Sequence, residues 1–260
     1  MQRPRSIPED DRMHSFLFVG DSMTIGCPGD YTWRYRMWQH LEATMPGEYE
    51  IVGPRTALYD PATAAPASHA YAAEDFPAPA RRHLAGWGEG WLHMAPAIRS
   101  TLRETGANTL LVSLGLIDLG FYTNAEQTAA NLDLFLDEAR AADARIAIVI
   151  HPVIPNIRAA RDAPFAEQCT RFNELLAKTV AERDEPRSPL LLATPHPTYD
   201  LRTDTYDGTH PGPTGEHKLA ASFADALHQA WNLGGPYSSP HLSPHATRPG
   251  DPTPSILLRS

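Results

Sequence analysis

The chain has 260 residues, enough for one large domain or two small ones, and a domain of that size buries a core without disulfides or metals. Its formal net charge is −9, from 22 Lys and Arg against 31 Asp and Glu, with no basic cluster. This balance excludes the electrostatic footprint of a nucleic-acid binder and disfavours an anionic membrane surface. The polar start MQRPRSIPEDDRMHS lacks an apolar signal core, and no apolar run reaches the roughly 18 residues that would span a bilayer, so a cytoplasmic protein without membrane insertion is expected.

In chain order, residues 1–14 read as an N-terminal extension and 15–20 (SFLFVG) as a buried strand ending in Gly. A helix is predicted over 32–45, then a short strand over 50–53. Residues 59–82 are rich in Ala and Pro and long for a loop, which suggests a substrate-facing lid or a mobile insertion. A Gly/Trp-rich loop at 86–91 leads into a helix at 92–105, a strand at 109–114 and a helix at 125–142. Strands at 145–150 and 189–193 flank a helix at 164–183, and a last helix covers 214–231. Short continuous apolar runs suit parallel strands covered on both faces, and their alternation with helices predicts an α/β sandwich over 15–233. The tail 234–260, rich in Pro, Ser and His, has little to offer a core.

Two motifs carry chemistry. Gly20-Asp21-Ser22 starts where the first strand ends, the place where functional groups gather in parallel α/β sheets. A serine there can be presented at a tight turn with its own N–H facing a developing oxyanion. Far downstream stands Asp207-Gly208-Thr209-His210-Pro211, in which a carboxylate three residues before an imidazole can bond Nδ1 and leave Nε2 free to take a proton. Either motif alone has a bland alternative, a structural turn or a surface hydrogen bond. Together they supply the nucleophile, base and orienter that a serine alcohol needs. No Gly-x-Ser-x-Gly elbow occurs.

These residues in this order resemble the SGNH/GDSL hydrolase superfamily over roughly residues 15 to 232. Val52-Gly53-Pro54-Arg55 resembles the segment after that family's second strand, Gly86-Trp87-Gly88 lies where the family places its oxyanion glycine, and 113–120 (SLGLIDLG) resembles its third block. The resemblance implies a three-layer α/β/α flavodoxin-like sandwich with a roughly five-stranded parallel sheet. It also implies a site built from Ser22, Asp207 and His210, with no metal or cofactor. Ester, thioester and acetylated sugar or lipid substrates follow from it. The oxyanion donors would be the N–H groups of Ser22 and of Gly88 or Gly86. The family's block normally offers an Asn side chain where this chain has Ile117, which has no donor. Removing one oxyanion donor lowers turnover by roughly 10²–10³, so Asn124 or Tyr122 come into view as substitutes.

Asp21, Tyr31, Trp87, Ile117 and Asp118 are the further residues expected at the substrate, with Trp33 as another candidate wall. Cys27 and Cys169 form neither a disulfide framework nor a metal motif, and Cys27 reads as a small buried filler. The 12 histidines lack ligand spacing, and His217 reads as exposed. The expected reaction is hydrolysis of a small-molecule or lipid ester through an acyl-enzyme. Acyl transfer to an alcohol or amine is the alternative, a non-catalytic binding protein the least favoured reading, and the oligomeric state is open.

Overall fold

Strand β1 (His14–Gly20) runs through the centre of a computed structural model that describes residues 13–239 and Leu242. Its side chains alternate across the sheet, as a strand with period two must. Phe16 and Phe18 enter one core cluster, Leu17 and Val19 the other. The remaining strands of the main sheet are β2 (Tyr49–Ile51), β5 (Leu84–Ala85), β6 (Thr109–Ser113), β7 (Ala147–His151) and β8 (Leu190–Leu192). Every pairing is parallel, in the order β2-β1-β6-β7-β8. Short β5 joins the end of β1, with Gly20 opposite Ala85. It is a sixth strand that the sequence reading did not anticipate, because two residues carry no periodicity.

Helices cover both faces. On one side α2 (Trp33–Thr44) packs against α7 (Pro213–Trp231), with Trp33, Phe223 and Leu219 in its cluster. On the other side lie α3 (Trp91–Thr105), α4 (Ala125–Ala142) and α5 (Ala163–Arg183), with Ile98, Leu132, Phe135 and Phe172 packed inward. This is the expected three-layer α/β/α arrangement, and its strands' apolar runs are explained by double coverage. The chain leaves β1 for β2 on one side and returns to β6 on the other, so the switch point of the sheet lies beside the C-terminal end of β1. Register brings three strand ends level there, Gly20 opposite Ser113 and Ser113 opposite His151.

Segment 59–82 is more built than a lid or a mobile insertion. It contains most of an antiparallel hairpin, β3 (Leu58–Asp60) with β4 (Ala65–Ser68), and a 3₁₀ turn at Ala78–Arg81. Tyr71, Ala73, Phe76 and Ala80 are buried against α2. Of the expected tail, residues 234–239 pack on α2 and α7, with Tyr237 N–H bonded to Asp225 Oδ1 at 3.0 Å. Residues 240, 241 and 243–260 of the tail, and residues 1–12 of the extension, lie outside the described residues.

Candidate active site

The turn that carries Ser22 is assembled from buried parts. After Gly20, Asp21 caps the single turn α1 (Ser22–Ile25), its Oδ1 accepting the Met23 N–H at 3.0 Å. A Cβ at Gly20 would lie 1.9 Å from Thr24 Oγ1, so only glycine lets the strand run this close to the turn. Ser22 opens the turn, which leaves its own N–H outside the helical ladder. Below it, fully buried Arg34 donates from Nε to Thr24 O at 2.8 Å and from Nη2 to Ile25 O at 3.1 Å. The same guanidinium reaches Arg81 O at 2.9 Å and Tyr71 Oη at 3.0 Å. The carbonyls at the end of α1 are therefore satisfied by α2.

His210 sits on an exposed loop. Asp207 Oδ1 accepts the N–H groups of Thr209 and His210 at 2.9 and 2.8 Å. Asp207 Oδ2 lies 2.6 Å from His210 Nδ1, and His210 Nε2 lies 3.0 Å from Ser22 Oγ. Burial opposes ionisation of Asp207, yet the bonds from the His210 ring and the two backbone N–H groups hold its carboxyl below the usual range. The Asp207 side chain remains 43% exposed and that of His210 15%. Two rings lie nearly parallel to the imidazole: Trp87 with centroids 4.7 Å apart and Tyr206 at 5.7 Å. Tyr59, on β3, stacks in turn on Trp87 at 4.5 Å.

The donor side is set by the loop after β5. Gly86 N–H is committed to Gly20 O at 3.2 Å, a rung between β5 and β1. Gly88 has φ +74°, a left-handed conformation suited to glycine, and among the described residues no acceptor takes its N–H. Its carbonyl accepts the Tyr122 hydroxyl at 3.1 Å. Tyr122 thus holds the glycine loop and does not itself stand in for an Asn donor. Asn124 Oδ1 caps α4 by accepting the Gln127 N–H at 2.9 Å. Ile117 is half-buried at the start of the π-helical turn Asp118–Tyr122.

Several residues expected at the substrate serve the scaffold instead. Asp21 and Asp118 are buried helix caps. Asp118 Oδ2 and Oδ1 accept the Trp91 and Leu92 N–H groups at 2.9 and 3.2 Å, supplying the start of α3 with the acceptors Gly90 lacks. Burial pushes the Asp21 carboxyl up to about 7, with the nearby Asp118 charge adding and the Met23 N–H opposing. Burial also raises Asp118, against the Trp91 and Leu92 N–H groups. Trp33 is core, stacked on Phe223 at 4.7 Å, and Tyr31 packs under Arg36, whose guanidinium carbon lies 4.2 Å from its ring centre. His217 is buried and not exposed, its Nδ1 2.7 Å from Tyr237 Oη. Cys27 is half-buried beside the site, and its burial pushes the thiol up to about 11. Among the described residues no group of three or more His, Cys, Asp or Glu is placed to hold a metal, and no helix is long and apolar enough to cross a membrane.

The sequence pattern of the GDSL-like lipase/acylhydrolase family matches residues 18–218, a span containing every residue of this constellation. The chain belongs to that family. Solved structures similar to this GDSL-like chain include an acetyl esterase mutant with a bound acetate ion, at 20% identity and TM-score 0.66, covering 84% of this chain and 97% of that one. A carbohydrate esterase of family 3 from Talaromyces cellulolyticus has 21% identity and TM-score 0.67 over 84% of this chain and 97% of its own. A family 3 carbohydrate esterase from Clostridium thermocellum has 17% identity and TM-score 0.64 over 83% and 96%. At such identities these likenesses establish the shared fold. No curated protein matches the chain by sequence. Family membership makes ester hydrolysis the coarse activity of this GDSL-like protein.

Sequence reasoning passed over Arg34, Tyr59, Tyr206 and Ile157. Tyr206 carried a usable signal, since it precedes Asp207 directly. Arg34 read as one charge in an aromatic helix, and only the fold reveals what it bonds.

Proposed function

We propose that this protein is a serine ester hydrolase that works through an acyl-enzyme, with Ser22 as nucleophile, His210 as general base and Asp207 as the group that orients it. The observation that carries this reading is the continuous line from Ser22 Oγ to His210 Nε2 at 3.0 Å and from His210 Nδ1 to Asp207 Oδ2 at 2.6 Å. An Nδ1–H donated to Asp207 leaves Nε2 as acceptor for the serine proton. Ser22 Oγ attacks the ester carbonyl as that proton moves to His210. The oxyanion is met by the N–H groups of Ser22 and Gly88, Gly86 N–H being engaged in the sheet. His210 then returns the proton to the departing alkoxide. Water, activated by the same imidazole, releases the acid and restores Ser22.

The substrate of this reading is a small-molecule ester. Acetate esters are the natural first trial, because one similar structure is described as an acetyl esterase holding acetate. The deciding experiment uses the purified protein with 4-nitrophenyl acetate and a fluorophosphonate probe. A single phosphonyl adduct at Ser22 is expected by mass spectrometry. Ser22→Ala should lose the adduct and at least about 10⁴-fold in turnover. Hydrolysis that persists in Ser22→Ala overturns the assignment. Product analysis with added alcohols or amines separates hydrolysis from transfer, since a transferase would yield the new ester or amide in place of free acid.

A further inference from the structure

Four loops close a ring around Ser22, each touching the next. Tyr122 Oη donates to Gly88 O at 3.1 Å. Arg158 Nη1, on the turn after β7, donates to Gly120 O at 3.0 Å. The neighbouring Ile157 N–H donates to Gly208 O at 2.9 Å, and the Ile157 side chain packs on Gly208. Trp87, stacked on His210, completes the ring. Each loop lifts a large apolar side chain to solvent: Trp87 is 36% exposed, Phe121 77%, Tyr122 51%, Ile157 53% and Tyr206 55%. Among the described residues the other exposed large apolar side chains are Met13, Leu92 and Leu134. Five of the eight such side chains among the described residues therefore sit on these four loops, and exposed apolar surface gathered at one place marks a binding surface.

Several polar groups around this collar are engaged within the protein. Tyr122 Oη is bonded to Gly88 O and Arg158 to Asp162 Oδ2 at 2.7 Å; Arg55 pairs with Glu89 at 2.5 Å, and Asp207 holds the His210 loop. Apolar side chains dominate what the collar lifts to solvent, and covering them with an apolar group releases their hydration without stranding a polar one.

We propose that the collar binds the alcohol half of the ester and that this alcohol is apolar. The inference rests on the serine-hydrolase reading for which half is meant. His210 Nε2 must reach the leaving oxygen to protonate it, so the groups gathered on His210 and its loop, Trp87, Tyr206 and Ile157, flank the leaving group. The carbonyl oxygen faces the opposite way, toward Ser22 and Gly88 N–H.

The test compares ethyl, butyl and hexyl acetates, whose alcohols differ little in acidity, with 2-(2-methoxyethoxy)ethyl acetate and a mono-acetylated pentose. The expected result is a rise in kcat/KM with each added methylene, at most about four-fold, the limit for complete burial. Hexyl acetate should outrun both polar esters. Ile157→Ser and Tyr206→Ser should flatten the alkyl series. A flat series in the unmodified protein, equal slopes in the variants, or preference for a polar ester overturns the collar. A second measurement needs no catalysis: Ser22→Ala protein titrated with hexanol and with ethanol, followed by amide NMR. Hexanol should bind more tightly and shift Phe121, Ile157 and Tyr206. If those amides do not respond, the collar fails even when esters are cleaved. If they respond while no ester is cleaved, the hydrolase reading fails and the collar stands.

Discussion

The Ser22 turn and the His210 loop meet at a single hydrogen bond but are held by opposite means. Around Ser22 everything is inside: Asp21, Thr24 and Arg34 are buried, and four acceptors converge on one guanidinium. Around His210 the support is local and near the surface. A carboxylate three residues away holds one ring nitrogen, and Trp87 and Tyr206 lie along the ring. Damage to the first region should therefore unfold the protein, and damage to the second should disarm it while leaving it folded.

The largest expected effect is on the disarming side. Asp207→Asn should lower turnover about 10³- to 10⁴-fold by upsetting the tautomer and orientation of His210. Its unfolding midpoint in urea should stay within about 0.5 kcal/mol of the parent, as for an exposed site. A matching loss of stability would break the contrast. Arg34→Met probes the other region. It leaves buried carbonyls without donors, so a loss of about 3 kcal/mol is expected, or roughly 6–12 °C in Tm. An unchanged melting curve would mean that water or a neighbour takes over those acceptors.

Buried carboxyls sharpen the comparison through pH. Asp21 beside the nucleophile and Glu216, which bonds the start of α2, are each raised by burial to about 7. In the unfolded chain both ionise near the ordinary carboxyl value of about 4. Between about pH 4 and 7 the folded state thus holds more protons, and stability should fall as pH rises through that window and level off above it. Each group contributes at most about 1.4 kcal/mol per pH unit. Asp21→Asn, a neutral stand-in for the protonated acid, should flatten the dependence of the urea midpoint on pH. A profile identical to the parent's would show that Asp21 is already ionised there. The smallest effect concerns the donor loop. Tyr122→Phe keeps the ring but frees Gly88 O, and about 1 kcal/mol of lost positioning predicts a roughly five-fold fall in kcat, measured on 4-nitrophenyl acetate.

The layering and the parallel sheet were legible in the sequence for a physical reason, and the sequence also drew attention to Ser22, Asp207 and His210, which the fold brings into one hydrogen-bonded line. Buried parallel strands must be apolar without interruption, and a serine nucleophile needs its partners at fixed places relative to strand ends. What escaped was decided by tertiary contact. Asp21 and Asp118 look like site residues because carboxylates beside a nucleophile usually are, yet each caps a helix, and Asp118 caps one that begins 27 residues earlier. Strand β5 is too short for any pattern. The Ala- and Pro-rich segment reads as mobile because composition does not show Phe76 and Tyr71 turning inward, where Arg34 meets Tyr71.

The rung from Gly86 N–H to Gly20 O joins the glycine loop to β1 through main chain alone. The strand end of that loop is therefore placed by main chain, while Gly88 further along also leans on the Tyr122 hydroxyl. Apolar groups at the rim that make no such side-chain bond, Phe121 and Ile157 among them, can therefore be exchanged while this main-chain rung stays in place.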